Sequence, residues 1–133
     1  MEKIFVDTSA LFALLATEDL QNKAAASVWK EIVERQDYLV TNNYVLVESI
    51  ALTQSRLGLE FVHHLQSIIV PFLSVEWIDE EFHQSILEDV LKANHRNVSL
   101  VDYSTFNTMR QLGIQTIFTF DGHFHNQGFK VIP

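Results

Sequence analysis

Four acidic residues hold positions from which they could do chemistry. Asp7, Asp102 and Asp121 each close or immediately follow a short apolar run: Ile4-Phe5-Val6, Val98-Ser99-Leu100-Val101, and the stretch from Gln115 to Phe120. A fourth, Glu48, lies inside the almost wholly apolar stretch Tyr44-Val45-Leu46-Val47-Glu48-Ser49-Ile50-Ala51-Leu52. A single Asp after a strand most simply caps the next helix. Three of them, far apart in the chain, would meet in space if the apolar runs were parallel strands. The carboxyl ends of such strands share one edge, the edge at which open α/β sheets bind ligands. Glu48 is either on a narrow exposed stripe or buried, and a buried unpaired carboxylate takes up a proton or acquires a cation. Four carboxylates at one edge repel one another unless hard, oxygen-seeking cations neutralise them. Mg²⁺ or Mn²⁺ suits carboxylate and water ligands, and the chain has no Cys to favour a softer metal.

The elements that must position these acids follow from the pattern. Ile4-Phe5-Val6 reads as a buried strand. Ala10 to Ala16 is apolar on all sides and reads as a buried helix. Asp19 can cap a second helix over about 20–35, in which Ala24, Val28, Ile32 and Ala25, Trp29, Val33 keep helical spacing. Tyr38-Leu39-Val40-Thr41 reads as the next strand. Asn42 or Asn43 can cap a helix running through Glu48 to about Arg56, with Gly58 near its end. Phe61, Leu65, Ile68, Ile69 and Phe72 mark an amphipathic helix. Ser74 to Ile78 alternates as a strand does, and Asp79 caps a helix ending near Asn94. Val98 to Val101 reads as a strand, followed by a helix through Phe106, Met109 and Leu112 that Gly113 stops. Gln115 to Phe120 is a strand, 122–128 a loop, and Phe129 to Ile132 a last short strand. Strands alternate with helices, which predicts an α/β sandwich with a mainly parallel sheet in one domain over residues 1–133.

Composition narrows the function classes. The chain has 133 residues, 47% of them hydrophobic and 20% charged, which excludes a disordered chain. Without cysteine there is no disulfide framework, cysteine nucleophile or thiolate zinc site. No apolar run is long enough for a membrane span, and the N-terminus lacks a signal-peptide layout, so the expected location is the cytoplasm, with no membrane partner. The net charge of −8 opposes sequence-independent nucleic-acid binding when taken alone. Two divalent ions held by the acids would halve it.

Rival chemistries fail on their own signatures. There is no GxGxxG and no GxxxxGK[ST] motif. Position 9 is Ser, where a dehalogenase-type phosphatase needs the second Asp of D-x-D-x-T. A receiver-type phospho-acceptor would want paired acids after the first strand, and a catalytic Ser would want a nucleophile elbow. His63-His64 lies away from every acid motif. His123 and His125 follow Asp121, where an H-x-H pair without further ligands is a solvated loop and His123 is also placed to touch RNA. Arg110 occupies either a plain surface position or a phosphate contact two turns beyond Asp102. Trp29 and Trp77, among apolar neighbours, read as core.

Phe5-Val6-Asp7-Thr8-Ser9, the helical acid Glu48, Leu100-Val101-Asp102-Tyr103-Ser104 and Phe118-Thr119-Phe120-Asp121-Gly122-His123-Phe124 together resemble the PIN-domain family, and more narrowly its VapC-like toxin ribonucleases. The resemblance runs over essentially the whole chain. It implies a three-layer α/β/α sandwich in which Asp7, Glu48, Asp102 and Asp121 form an acidic site for Mg²⁺ or Mn²⁺. Thr8, Ser9 and Thr119 match polar positions beside that site, where they orient carboxylates. For Thr8 a helix-cap or turn role is an equal alternative. Asp7 is the best candidate to bridge two ions, Asp102 and Asp121 complete the shell, and Glu48 binds metal or takes a proton from water. The resemblance further implies a homodimer, a small DNA-binding antitoxin bound near the site, and RNA hydrolysis leaving a 5′-phosphate and a 3′-hydroxyl. The competing expectation is a catalytically weak PIN-like module whose main job is binding a protein or RNA.

Overall fold

The computed structural model describes residues 1–133. Five strands, all parallel, form one sheet: β1 (Lys3–Val6), β2 (Tyr38–Asn42), β3 (Ser74–Glu76), β4 (Thr116–Phe118) and β5 (Lys130–Ile132), in the order β3-β2-β1-β4-β5. Parallel neighbours need crossovers, and helices supply them. These are α1 (Thr8–Leu15), α2 (Asn22–Glu34), α3 (Asn43–Arg56), α4 (Leu59–His64), α5 (Glu80–Ala93) and α6 (Leu100–Leu112). The expected three-layer α/β/α arrangement is the one found. The chain winds outward from β1 through β2 to β3, then returns to the other side of β1 for β4 and β5. The order therefore switches between β1 and β4, where such sheets open a crevice at their carboxyl ends.

The central strand owes its place to its apolar run. Ile4, Phe5 and Val6 are fully buried and pair with β2 on one side and β4 on the other. Helix α1 follows within two residues and buries Thr8, Ala10, Leu11, Ala13 and Leu15, which explains an apolar composition on all its faces. Helix α6 contributes Phe106 and Met109 to the same core. It ends where Gly113 takes a left-handed conformation, φ 69°, that a residue with a Cβ rarely adopts.

Several details depart from the sequence pattern. Val98 to Val101 is not a strand. Ser99 caps α6 by accepting the Asp102 N–H, while the Asp102 side chain accepts the Ser99 N–H, a reciprocal capping box that turns Leu100 and Val101 into the first helical residues. Asp102 thus sits in the first turn of a helix. The second helix starts later than expected, at Asn22, and Asp19 instead closes a turn by accepting the Gln21 N–H. Trp77 is 72% exposed and is not core, whereas Trp29 packs edge-on against Phe72 at 5.8 Å. The segment from Leu59 to Phe72 stays helical but tightens and loosens on the way, passing from α4 through a π turn over Leu65–Ile69 to a 3₁₀ turn over Val70–Phe72.

Candidate active site

The switch point gathers the acids because of which end of each element lies there. Asp7 follows β1 directly and its N–H extends the ladder to the Phe118 carbonyl at 3.0 Å. Thr119 does the same on the other side, donating to the Ile132 carbonyl at 3.0 Å, and Asp121 comes two residues later. Asp102 arrives by a different route. A helix that leads into a parallel strand starts at the strands' carboxyl edge, and α6 leads into β4. The misread strand therefore changes the element that carries Asp102 without moving it from the site.

Asp7 is 4% exposed, and Oδ2 accepts hydrogen bonds from Thr119 Oγ1 at 2.8 Å and Ser9 Oγ at 3.3 Å. The two hydroxyls lie 3.0 Å apart. Each is fixed in turn by backbone, Ser9 Oγ accepting the Phe120 N–H at 2.9 Å and Thr119 Oγ1 accepting the Asp121 N–H at 3.0 Å. Ser9 and Thr119 therefore both hydrogen-bond the Asp7 carboxylate, and they lock the β1 end to the β4 end. Thr8 acts differently: its backbone N–H bonds the Asp7 carboxylate, while its side-chain hydroxyl is buried without a partner. Burial raises the Asp7 carboxyl to about 6, against the opposing hydrogen bonds from Thr119 and Thr8, and the Asp102 and Asp121 charges push it the same way.

Asp102, Asp121 and His123 form the tightest group, with one ligand atom of each within 4.8 Å of the others. His123 Nδ1 is 3.4 Å from Asp102 Oδ2 and 3.3 Å from Asp121 Oδ1. Asp121 also caps the 3₁₀ turn Gly122–Gln127 by accepting the His123 N–H at 2.9 Å. The stretch expected to be a loop is thus an ordered turn that holds His123 over the acids. Glu48 is exposed in the second turn of α3 and stands outside the tight group. Arg110 lies eight residues beyond Asp102, roughly 12 Å along the helix axis. It donates to Gln127 Oε1 at 2.9 Å and covers the Phe106 and Phe129 rings.

A support missed in the sequence is Asn42. Fully buried at the end of β2, it donates to Ser104 Oγ and Thr108 Oγ1, both at 3.2 Å, and accepts the Val45 N–H at 2.9 Å. One side chain caps α3 and fastens α6, the helix bearing Asp102, to the sheet. Its cap role was legible, but its cross-chain partners were not, because the spacing of 62 and 66 residues carries no local signal.

The PIN-domain family profile matches residues 4–130. The chain belongs to the PIN-domain family. Within it, the chain is 31% identical over 127 residues, 95% of each sequence, to the 23S rRNA-specific endonuclease VapC20 of Mycobacterium tuberculosis, in strains CDC 1551 and H37Rv alike. The crystal structure of M. tuberculosis VapC20, described as a Sarcin-Ricin loop cleaving toxin, superposes with a TM-score of 0.85 at 30% identity, covering 98% of this chain and 99% of that one. PAE2754 from Pyrobaculum aerophilum shares the fold, with a TM-score of 0.67 at 17% identity over 98% of this chain and 83% of that one. The chain is thus a PIN-domain protein of the VapC endonuclease type.

PIN nucleases use divalent metal, and this donor set fits one. Two carboxylates and an imidazole converge, Asp7 lies near enough to feel the Asp102 and Asp121 charges, and the ion pairs that Asp102 and Asp121 make are with His123 rather than with Lys or Arg. A hard divalent ion is the natural counter-charge for such a set.

Proposed function

We propose that this protein is a divalent-metal-dependent endoribonuclease, the toxin of a toxin–antitoxin pair, using Mg²⁺ or Mn²⁺. The observation that carries the reading is the convergence of Asp7, Asp102 and Asp121 at the switch between β1 and β4, with no Lys or Arg paired to them. When bound, a divalent ion supplies charge screening for the phosphodiester and Lewis acidity toward water. Asp7, Asp102 and Asp121 would hold it, with Asp7 the most buried of the three. Ser9 and Thr119 keep the Asp7 carboxylate in one orientation, so little reorganisation accompanies the reaction. Glu48, on the exposed face of its helix, would take the proton of the attacking water or add a ligand when RNA is present. The products are a 5′-phosphate and a 3′-hydroxyl.

The protein works in the cytoplasm as a homodimer and is neutralised by a small DNA-binding antitoxin. No helix is long and apolar enough to cross a membrane. Since the VapC20 relatives are named for 23S rRNA cleavage, ribosomal RNA is the first substrate to test. Purified protein, stripped of metal, is incubated with total RNA with and without Mg²⁺ or Mn²⁺, and new 5′ ends are mapped. Metal-dependent cleavage at discrete positions sustains the assignment. Equal cleavage in excess chelator, or none with either metal, overturns it in favour of a binding module.

A further inference from the structure

We propose that His123 is a nitrogen ligand of the metal centre, binding through Nδ1, and that it tilts the site toward first-row transition ions and away from Mg²⁺. This rests on the divalent-metal reading above and deepens it. The placement of the ring is the observation. Donor atoms in cis positions about a six-coordinate ion, at about 2.1 Å each, are about 3.0 Å apart. Nδ1 stands 3.3 and 3.4 Å from carboxylate oxygens of Asp121 and Asp102, a few tenths of an ångström beyond that spacing, and one ligand atom of each of the three residues lies within 4.8 Å of the others, close enough for one ion to draw them together.

The ring is also held there. The Asp121 side chain fixes the His123 backbone N–H at 2.9 Å. The next residue, Phe124, is fully buried and packs edge-on against Phe106 of α6 at 5.3 Å. The turn that bears His123 is therefore anchored to the helix that bears Asp102. The imidazole is 42% exposed, and Nδ1 is the ring nitrogen beside the acids, so binding an ion through Nδ1 would leave the ring proton on Nε2.

The chemical consequence concerns selectivity. Carboxylate and water oxygens satisfy Mg²⁺, which gives up its waters reluctantly. An imidazole nitrogen adds more to the binding of transition ions. A site of carboxylates alone discriminates weakly between Mg²⁺ and Mn²⁺, and His123 breaks that tie. Nδ1 cannot hold an ion and RNA at once, so the RNA contact expected of His123 would fall to Nε2.

The test uses Mn²⁺ and Mg²⁺ alone, without RNA. Mn²⁺ is titrated into the metal-stripped protein and followed by electron paramagnetic resonance, with Mg²⁺ affinity read by competition. Pulsed measurements of the bound Mn²⁺ report whether ¹⁴N is coordinated. The wild type and His125→Ala should show ¹⁴N coupling, and His123→Ala should lack it. His123→Ala should also bind Mn²⁺ roughly tenfold or more weakly, the scale of losing a group that tunes a metal site. Its Mg²⁺ affinity should change by less than about threefold. His123→Asn, closer in size, repeats the comparison should the alanine variant fold poorly by circular dichroism. Bound Mn²⁺ without ¹⁴N coupling in the wild type overturns the proposal and leaves the metal centre standing. So does an equal loss of both ions in the variants. A wild type that binds neither ion overturns both readings.

Discussion

Replacing Asp7 with Asn should abolish cleavage and make the metal-free protein more stable at neutral pH. Asp7 is almost completely buried, and burial raises its carboxyl from 3.8 to about 6. A folded-state value above the unfolded one means that the native state holds the proton more tightly. The folded protein is therefore unpenalised below pH 3.8, loses stability as the pH rises from there to about 6, and carries the full cost above it. A shift of about 2 units corresponds to about 3 kcal/mol. Asn is nearly isosteric and uncharged, so it escapes this cost. It puts an NH₂ where one carboxyl oxygen stood among the donors Thr119, Ser9 and the Thr8 N–H, a mismatch that costs about 1 kcal/mol. The expected gain at pH 7.5 is about 2 kcal/mol, or a rise in Tm of roughly 8 °C for a domain of this size. The assay is urea unfolding of both proteins in chelator from pH 4 to 8, with the gain vanishing near pH 4. Saturating Mg²⁺ should narrow the gap, since binding at a hundredfold excess over Kd stabilises only the wild type, by about 2.7 kcal/mol. An Asp7→Asn protein no more stable than wild type at pH 7.5, or a difference that is flat with pH, would refute the reasoning.

Asp102→Asn and Asp121→Asn should each reduce kcat by roughly a hundredfold or more, the scale of losing one preorganised electrostatic contact, with the Mg²⁺-induced rise in Tm diminished. Glu48→Gln should lower kcat while leaving Tm within about 1 °C, because the side chain is exposed; an unchanged kcat would remove it from the reaction. Asn42→Leu should destabilise by about 2–3 kcal/mol in urea unfolding, since it leaves the Ser104 and Thr108 hydroxyls and the Val45 N–H without their buried partner. The antitoxin should insert an Arg or Lys among Asp7, Asp102 and Asp121, pairing with them as a guanidinium does with carboxylates. If no Arg→Ala or Lys→Ala change in it restores cleavage or weakens binding, the insertion idea fails.

How much of this was visible beforehand depends on the range over which each signal acts. The strands at Ile4–Val6 and Tyr38–Thr41 were legible because buried parallel strands are short unbroken apolar runs. The caps at Asn42 and Asp79 were legible because a cap acts over three residues. Val98 to Val101 was misleading, since two valines and a leucine in four residues imitate a strand. The decisive local sign was Ser99 three residues before Asp102, the spacing of a capping box. The convergence of Asp7 with Asp121 could be inferred from topology. The Ser9–Thr119 contact across 110 residues, and the aim of His123 at Asp102, depend on side-chain packing that no spacing encodes. Trp77 was misjudged because its apolar neighbours in sequence point elsewhere: Ile78 is buried while Trp77 faces solvent.

The strand order bears on what a broken chain can do. Residues 94–97, between α5 and α6, form an exposed turn. It divides β1, β2 and β3 from β4 and β5, and it also divides the acids, leaving Asp7 and Glu48 on one piece and Asp102, Asp121 and His123 on the other. Neither piece alone carries all the acids, and each would have an open edge of the sheet where β1 and β4 should meet. Activity then requires the halves to find each other, so it rises with the product of their concentrations rather than in proportion to either. The site is thus assembled across the β1–β4 pairing, and a chain cut at this one turn would act only while its two pieces stayed paired.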